Sequence, residues 1–334
     1  MRFALLKFFS WPLECLLRFR HFLFDKGFVA SREGSLPTVV IGNLSLGGTG
    51  KTPFSAWVCR YLVETSKVAL LSRGYGRKGK GFLQVSASSK PQEVGDEPLM
   101  QCLNLPDVGV AVCVDRLTGI DELKNRGYEV VVLDDAFQHR RLNGSVKILL
   151  TRQDRPFWSD QLFPLGYLRD VAGAAKRADV LVVTNCPSIP SPEFIMQAEL
   201  QGFERGKSLF FTGLEYLSPY DVRTLEVVNM ESVVAFGVCG VANDSGFKSF
   251  ISSHYDISGY KRFADHHHYS ENDFDELPAG SNCIITTEKD AVKLRLLNVL
   301  SETRIIALPI RLKFLEGEEN LKIVLSQSIT HLRK

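Results

Sequence analysis

The chain has 334 residues, of which 45% are hydrophobic, so it can fill two globular cores of ordinary size. Forty basic residues against 38 acidic residues leave a net charge of +2, which argues against nucleic acid or another polyanion as partner. Seven cysteines, odd in number and without a Cys-x-x-Cys pair, argue against a disulfide framework or a zinc site and favour reduced thiols in a cytosolic compartment.

Residues 1–30 differ from the rest of the chain because aromatic and apolar side chains alternate there with arginine and lysine. Their uncharged runs are shorter than the roughly 20 residues that span a bilayer, and no cleavage site of a secretory signal follows. A helix of this composition is typical of a membrane interface, with cations at the lipid phosphates. A core helix packed on the domain is the alternative. We predict a membrane-interface helix over residues 1–30.

A glycine loop, GNLSLGGTGKTP at residues 42–53, follows the apolar run at residues 38–41. In such a loop backbone N–H groups converge on phosphate oxygens, Lys51 adds positive charge, and the Thr52 hydroxyl can hold Mg²⁺. The usual spacing would place a glycine at Ser45, so the loop is a variant closer to the GGxGKT form. A glycine turn with a chance Lys-Thr is the alternative. The predicted nucleoside triphosphate site consists of Gly47, Gly48, Thr49, Gly50, Lys51 and Thr52.

Two polar loops come next along the chain. SRGYGR at residues 72–77 follows a predicted strand and offers an arginine and Tyr75 at the strand's carboxyl end. GDEP at residues 95–98 presents two carboxylates just before a predicted helix. The residues alone favour a helix cap there, with Asp96 accepting backbone N–H bonds and Pro98 in the first turn.

An apolar strand at residues 129–133 ends in Asp134 and Asp135. In a protein with a phosphate loop, a carboxylate here reaches Mg²⁺ beside the loop threonine, so the two segments support each other. A pair of surface turn aspartates is the alternative. Gln138 and His139 follow directly, at an edge where they can touch nucleotide or substrate.

The whole pattern predicts an α/β fold of the P-loop NTPase type, in which a parallel sheet carries helices on both faces. Ligands then bind at the carboxyl ends of the strands, where the glycine loop lies. Apolar runs at residues 208–212, 233–238, 283–287 and 304–308 predict a second, smaller α/β unit. We therefore predict a P-loop domain over residues 31–207 and a smaller domain over residues 208–334.

Two further segments carry functional residue types. FADHHHY at residues 263–269 contains three consecutive histidines, which cannot all face one metal and have no cysteine partners nearby. A histidine beside an aspartate can share a proton with a carboxylate, and a solvated loop is the alternative. TTEKDAVKL at residues 286–294 ends a strand and opens a helix, as a cap or a substrate-facing turn.

Taken in order, seven motifs over about residues 3–294 resemble the tetraacyldisaccharide 4'-kinase family. They are GNLSLGGTGKTP, SRGYGRK, GDEP, DDAFQHR, FPLGYLRD at residues 163–170, FADHHHY and TTEKDAVKL. The resemblance implies an ATP- and Mg²⁺-dependent kinase that phosphorylates the 4'-hydroxyl of a tetraacylated glucosamine disaccharide 1-phosphate in lipid A synthesis. It also implies a monomer placed peripherally on the cytoplasmic face of the bacterial inner membrane, close to its lipid acceptor, without nucleic acid.

The resemblance also implies residue roles. Asp96 would be the general base with His266 as its partner, which reverses the helix-cap interpretation. Lys51 and Arg116 would be catalytic, and Thr52, Asp134 and Asp135 would bind Mg²⁺. The implied positions for phosphates and substrate are Asn43, Tyr75, Gln138, His139 and Arg169.

The sequence departs from the family at two positions, with Ala136 in place of glycine and Asp170 in place of glutamate. Arg169 is therefore preferred over Asp170 as a substrate contact, and His266 over His267 because it directly follows Asp265. The alternative function is a membrane-docked ATPase switch of the deviant P-loop type that binds a protein partner. Leu46 stands where that class usually has an extra lysine, which counts against it.

Overall fold

The computed structural model describes residues 2–231, 233–265, 267–274, 283–297 and 303–330, and describes side chains from residue 10 onward. The fold is built on two sheets and the helices that cover them. None of the seven cysteines forms a disulfide, and five of them are buried.

The larger sheet has nine strands within the described residues, and its seven inner strands are parallel. The two edge strands are antiparallel to their neighbours. In spatial order the strands are β16 (Ile310–Glu316), β10 (Leu209–Tyr216), β9 (Val180–Thr184), β8 (Val146–Arg152), β2 (Thr38–Asn43), β6 (Val130–Leu133), β3 (Val68–Ser72), β5 (Gly109–Val112) and β4 (Leu83–Gln84).

Helices cover both faces of this sheet, as the sequence predicts. Successive strand residues point to opposite faces, so Val39 and Ile41 pack in one core while Val40 packs in another. The first face is covered by α2 (Lys51–Leu62), α4 (Asp96–Asn104) and α9 (Glu318–Thr330). The opposite face is covered by α5 (Arg116–Asn125) and α6 (Pro192–Glu199).

The smaller sheet has five strands among the described residues, four of them parallel. Its spatial order is β11 (Tyr220–Asp221), β15 (Arg304–Leu308), β14 (Cys283–Thr287), β12 (Val234–Cys239) and β13 (Asp256–Arg262), with α7 (Ser245–His254) and α8 (Glu288–Leu294) packed against it. The remaining elements are α1 (Arg2–Asp25), β1 (Arg32–Glu33), α3 (Pro91–Val94), β7 (Leu142–Asn143) and three short 3₁₀ helices at Phe157–Ser159, Ala172–Arg177 and Glu271–Phe274.

One strand assignment from the sequence is wrong. The sequence predicts that the run at residues 208–212 belongs to the smaller unit, but β10 pairs in parallel with β9 in the larger sheet. The physical reason is that Phe210 and Phe211 are both buried, one in each face, as an inner parallel strand requires. After the smaller sheet the chain returns to the larger one through β16 and α9. The division of the chain at residues 207/208 stays a prediction.

The N-terminal helix α1 ends in a polar anchor on the larger sheet. His21 Nε2 lies 2.6 Å from Oδ1 of Asp170, and the side chain of Asp170 is fully buried. Arg20 donates to the carbonyl of Gln138 at 2.6 Å, and Arg140 donates to the carbonyl of His21 at 3.1 Å. Across the described residues, no helix is both long enough and apolar enough to cross a membrane.

Candidate functional site

The glycine loop joins β2 to α2 at the carboxyl edge of the larger sheet. Gly50 precedes the first helical residue with φ of 73°, and Gly47 has φ of 92°, conformations that side chains other than glycine rarely adopt. A Cβ added at Gly47 or Gly48 would meet no atom within 4 Å. The loop therefore leaves open space in front of the N-terminus of α2, where phosphate oxygens can accept backbone hydrogen bonds.

A network of polar side chains surrounds Lys51. Its Nζ lies 3.8 Å from Oδ1 of Asp135, and Arg169 binds both carboxylate oxygens of Asp135, with Nη1 at 3.1 Å from Oδ2. Arg169 also donates to Oδ1 of Asn43, whose amide donates to the Thr49 hydroxyl at 2.6 Å. The structure thus brings together five residues that the sequence assigned to one site.

The adjacent carboxylates Asp134 and Asp135 have opposite electrostatic environments. Burial, together with the charges of Asp135 and Glu97, raises the pKa of Asp134 to about 6, while the charge of Lys51 and a hydrogen bond from Ser55 act to lower it. Burial also acts to raise the pKa of Asp135, but the hydrogen bond from Arg169 and the charges of Lys51 and Arg169 outweigh it and lower the pKa.

The oxygen donors at this point fit magnesium. Asp134 and Asp135 offer carboxylate oxygens near Lys51, and Mg²⁺ commonly takes one or two carboxylates and completes its shell with phosphate and water. The part of the chain that the structure describes contains no group of three or more His, Cys, Asp or Glu that could hold a metal alone. The two carboxylates thus fit an ion that is shared with a phosphate ligand, and Thr52 as a further ligand stays a prediction.

Arg116 begins α5, is buried, and interacts electrostatically with both carboxylates. Its Nη1 donates to the carbonyl of Cys113 at 2.6 Å. Burial lowers its pKa to about 10, although the charges of Asp134 and Asp135 act to raise it. Its guanidinium remains protonated at neutral pH and places positive charge beside the two carboxylates.

Gln138 and His139 line the same edge. The amide of Gln138 donates to the carbonyl of Asn43 at 2.8 Å. Burial and the charge of Arg116 lower the pKa of His139, so its imidazole is neutral at pH 7. Its buried Nε2 has no hydrogen-bond partner among the described residues. Tyr75 lies farther out, with 75% of its surface exposed.

Asp96 is the first residue of α4, and Gly95 occupies the N-cap position in its place. The Asp96 carboxylate accepts a hydrogen bond from the backbone of Glu97 at 3.1 Å, and Asp96 is 9% exposed. Farther along the same helix, Gln101 donates to the carbonyl of Thr52 at 2.9 Å. This bond holds the helix that begins at Asp96 against the end of the phosphate loop.

Two lysines of α8, neither of them predicted as a site residue from the sequence, also reach α4. Lys293 Nζ lies 3.7 Å from Oδ2 of Asp96, and Lys289 Nζ lies 3.1 Å from both Oε1 of Glu97 and Oδ1 of Asp265. Their four-residue spacing places both on one face of a helix, and this spacing is the sequence signal from which the pair could be predicted. The cap reading of this segment is confirmed, since Thr287 accepts a hydrogen bond from the backbone of Asp290.

The histidine segment is described only in part, because His266 lies outside the described residues. The neighbouring His267 stacks on Phe263 with ring centroids 4.6 Å apart, and its Nε2 lies 3.1 Å from Oδ2 of Asp273. Asp265 contacts Lys289 and so lies close to the start of α4. The choice of His266 as the partner of Asp96 stays a prediction.

Comparisons with known proteins agree with one another. A family model described as tetraacyldisaccharide-1-P 4'-kinase matches residues 2–330. The tetraacyldisaccharide 4'-kinase of Flavobacterium johnsoniae is 36% identical over 323 residues, which cover 93% of this chain and 92% of the relative. That of Phocaeicola vulgatus is 34% identical over 336 residues, with 93% and 91% covered.

A solved structure is similar over the same length. The crystal structure of the "apo" form of LpxK from Aquifex aeolicus in complex with ATP superimposes with a TM-score of 0.81 at 31% identity. The match covers 98% of this chain and 100% of that chain. The predicted α/β fold of the P-loop type is confirmed by this similarity.

Proposed function

The chain belongs to the tetraacyldisaccharide-1-phosphate 4'-kinase family, and on this premise we propose how its residues bind both substrates and transfer the phosphoryl group. It is an ATP-dependent kinase that phosphorylates the 4'-hydroxyl of a tetraacyl-glucosamine disaccharide 1-phosphate in lipid A biosynthesis. One observation carries the assignment of its base. The 2.9 Å hydrogen bond from Gln101 to the carbonyl of Thr52 holds the helix that begins at Asp96 beside the phosphate loop.

ATP is held through its phosphates in this proposal. Backbone N–H groups of the glycine loop bind the phosphate oxygens, and Lys51 and Arg116 balance their negative charge. Thr52, Asp134 and Asp135 would hold Mg²⁺, which when bound neutralises charge on the β- and γ-phosphates. The residues that position the phosphates and the acceptor are Asn43, Tyr75, Gln138, His139 and Arg169.

Asp96 acts as the general base. It takes the proton of the 4'-hydroxyl while that oxygen forms a bond to the γ-phosphorus, the bond from the γ-phosphorus to its bridging oxygen breaks, and ADP leaves. His266 is the proposed partner of Asp96, because the neighbouring Asp265 lies near the start of α4 through Lys289. Alignment of hydroxyl and phosphate supplies most of what such a transfer needs.

The acceptor carries acyl chains, so the enzyme must work at a lipid surface. On the N-terminal helix α1, Trp11 is 69% exposed, Leu16 is 64% exposed and Phe19 is 57% exposed. Moving large apolar side chains from water into the interface of a bilayer lowers the free energy. We therefore place the chain, as a monomer, peripherally on the cytoplasmic face of the inner membrane.

The test is phosphoryl transfer from ATP to the disaccharide 1-phosphate in detergent with Mg²⁺. Asp96→Asn keeps the size of the side chain but removes the base, so kcat should fall about 100- to 10,000-fold with little change in the KM for ATP. Asp107→Asn changes an exposed carboxylate beyond the end of the same helix and should leave kcat unchanged. Wild-type kcat in Asp96→Asn would reject the base assignment, and folded wild-type protein without transfer would reject the kinase.

A further inference from the structure

Lys293 contacts three separate parts of the chain at once. Its Nζ lies 3.7 Å from Oδ2 of Asp96 in α4 and 3.2 Å from Oδ1 of Asp290 in its own helix. It also donates a hydrogen bond of 3.1 Å to the backbone carbonyl of His267. One ammonium group therefore joins the larger sheet, the helix α8 and the loop that carries the histidines.

The position of this ammonium group is fixed by its surroundings. Asp290 is fully buried, and its other carboxylate oxygen accepts hydrogen bonds of 2.9 Å from the backbone of Gly240 and from the Thr287 hydroxyl. The ring of Tyr269 packs against the lysine, 5.1 Å from Nζ to the ring centroid. Because the buried Asp290, the Tyr269 ring and the His267 carbonyl all hold this ammonium group, these contacts oppose its following Asp96 if that side chain turns away.

The contact with Asp96 is itself shielded from water. The side chains of Lys293 and Asp96 are 9% and 11% exposed. Charges at this separation interact several times more strongly near a protein than in bulk water, where the same pair would gain little. The contact therefore favours both the ionised form of the carboxylate and one orientation of it.

We propose that Lys293 is a positioning residue for phosphoryl transfer, which holds the Asp96 carboxylate ionised and aimed and fixes the histidine loop beside it. The inference rests on the proposed role of Asp96 as base. It adds a residue of helix α8, which packs on the smaller sheet, to the residues proposed for the reaction, so correct packing of α8 against α4 becomes a condition for catalysis.

Other charged groups near Asp96 also influence whether its carboxylate is protonated. From α8, Lys289 adds a second cation, and it also contacts Asp265 of the histidine loop. Glu97 adds negative charge on the same helix, and its charge also reaches Asp134. Burial acts to lower the pKa of Lys289, but the three carboxylates Glu97, Asp96 and Asp265 raise it overall, so this cation persists when Lys293 is changed.

The test compares Lys293→Met with Lys293→Arg. Methionine keeps a long apolar chain but has no charge, so kcat should fall about 10- to 100-fold. In a plot of kcat against pH, the acidic limb should move to higher pH. That shift follows because a carboxylate that loses a nearby cation keeps its proton to higher pH. Arginine restores the cation and should recover most of kcat and the position of the limb. Binding of ATP should not change in either variant.

Lys261→Met is the matched control. Lys261 donates to the backbone carbonyl of Asp273 at 2.8 Å and lies 5.3 Å from the ring centroid of Phe263, so it has similar contacts but none with Asp96. Its replacement should lower stability without moving the acidic limb. A Lys293→Met enzyme whose kcat and pH profile equal those of Lys261→Met would overturn the proposal. If Asp96→Asn retains kcat, the base assignment itself fails, and this is a separate and recognisable result.

Discussion

At the scale of single residues, the neighbours Asp134 and Asp135 show how position decides the chemistry of one residue type. Asp134 is buried and accepts a hydrogen bond from the Ser55 hydroxyl, whereas Asp135 receives Arg169 on both oxygens and has Lys51 nearby. The pKa of the first is raised to about 6 and that of the second is lowered. Adjacent carboxylates therefore make opposite contributions to stability.

The sign of the Asp134 effect gives a prediction for metal-free protein. Because its folded pKa lies above 3.8, the folded state binds more protons than the unfolded state between about pH 4 and pH 6, and stability falls as pH rises through this range. Asp134→Asn removes the penalty, so the free energy of unfolding at pH 7.5 in EDTA should rise by about 1 to 3 kcal/mol. The gain should shrink below pH 6 and disappear near pH 4.

Asp135→Asn is the control for this measurement. Its folded pKa is lowered, so its contribution to stability is present above pH 3.8 and is lost as the pH falls through the folded pKa. The variant should therefore be less stable than the wild type at pH 7.5. Denaturant titrations of all three proteins at several pH values give the comparison, and equal destabilisation by both substitutions would contradict it.

At the scale of elements, local patterns were predicted well and long-range partners were not. The glycine loop is a short segment whose conformation follows from its own glycines, so its residues alone indicated a phosphate site. Strand β10 looked the same in either sheet, because an apolar run does not specify its neighbour. The contact of Lys293 with Asp96 joins residues 197 positions apart, and only the packing of α8 on α4 creates it.

Helix α1 supports a prediction about membrane binding. Its C-terminal end is tied to the protein by His21 and Arg20, while Trp11 and Phe19 are exposed. Changing Trp11 and Phe19 together to serine should reduce the fraction that co-sediments with anionic phospholipid vesicles about tenfold or more, because each side chain loses about 1.5 to 3 kcal/mol of apolar burial. Activity on acceptor in vesicles should fall in parallel.

A matched surface change tests whether apolarity alone explains that result. Met196 and Leu200 lie near the end of α6 with 56% and 76% exposure. Their joint replacement by serine removes a similar apolar surface at another place on the molecule and should leave vesicle binding at the wild-type value. Equal losses in the two double variants would show that α1 is not the membrane contact.

At the scale of the whole molecule, helices link the two sheets, and no strand within the described residues belongs to both. Asn104 at the end of α4 donates to Glu288 at the start of α8 at 2.9 Å, and the lysines of α8 reach the other end of α4. The helix that carries the proposed base therefore contacts the phosphate loop on one side and the smaller sheet on the other. A change in either contact should lower the rate of phosphoryl transfer more than it lowers the affinity for nucleotide.

The order in which the chain visits the two sheets also predicts whether the protein can be cut into two fragments that fold separately. The sequence places a boundary at residues 207/208, but the core over the phosphate loop includes Phe210, Leu312, Leu321 and Leu325 from beyond it. Residues 1–207 alone would lack these side chains and would expose the edge of β9. That fragment should show no cooperative unfolding transition by circular dichroism, and co-expression with residues 208–334 should restore one.

Single substitutions in α9 test the same point without cutting the chain. Leu325 is fully buried in that core, whereas Ile323 of the same helix is 54% exposed. Leu325→Ala should therefore lower the free energy of unfolding by about 2 to 5 kcal/mol, and Ile323→Ala by less than about 1 kcal/mol. A cooperative fragment 1–207 together with a neutral Leu325→Ala would support the boundary at 207/208. A fragment 1–207 that does not unfold cooperatively, together with a destabilised Leu325→Ala, would mean that the C-terminal helix is part of the unit that binds ATP. That helix is distant in sequence from the phosphate loop.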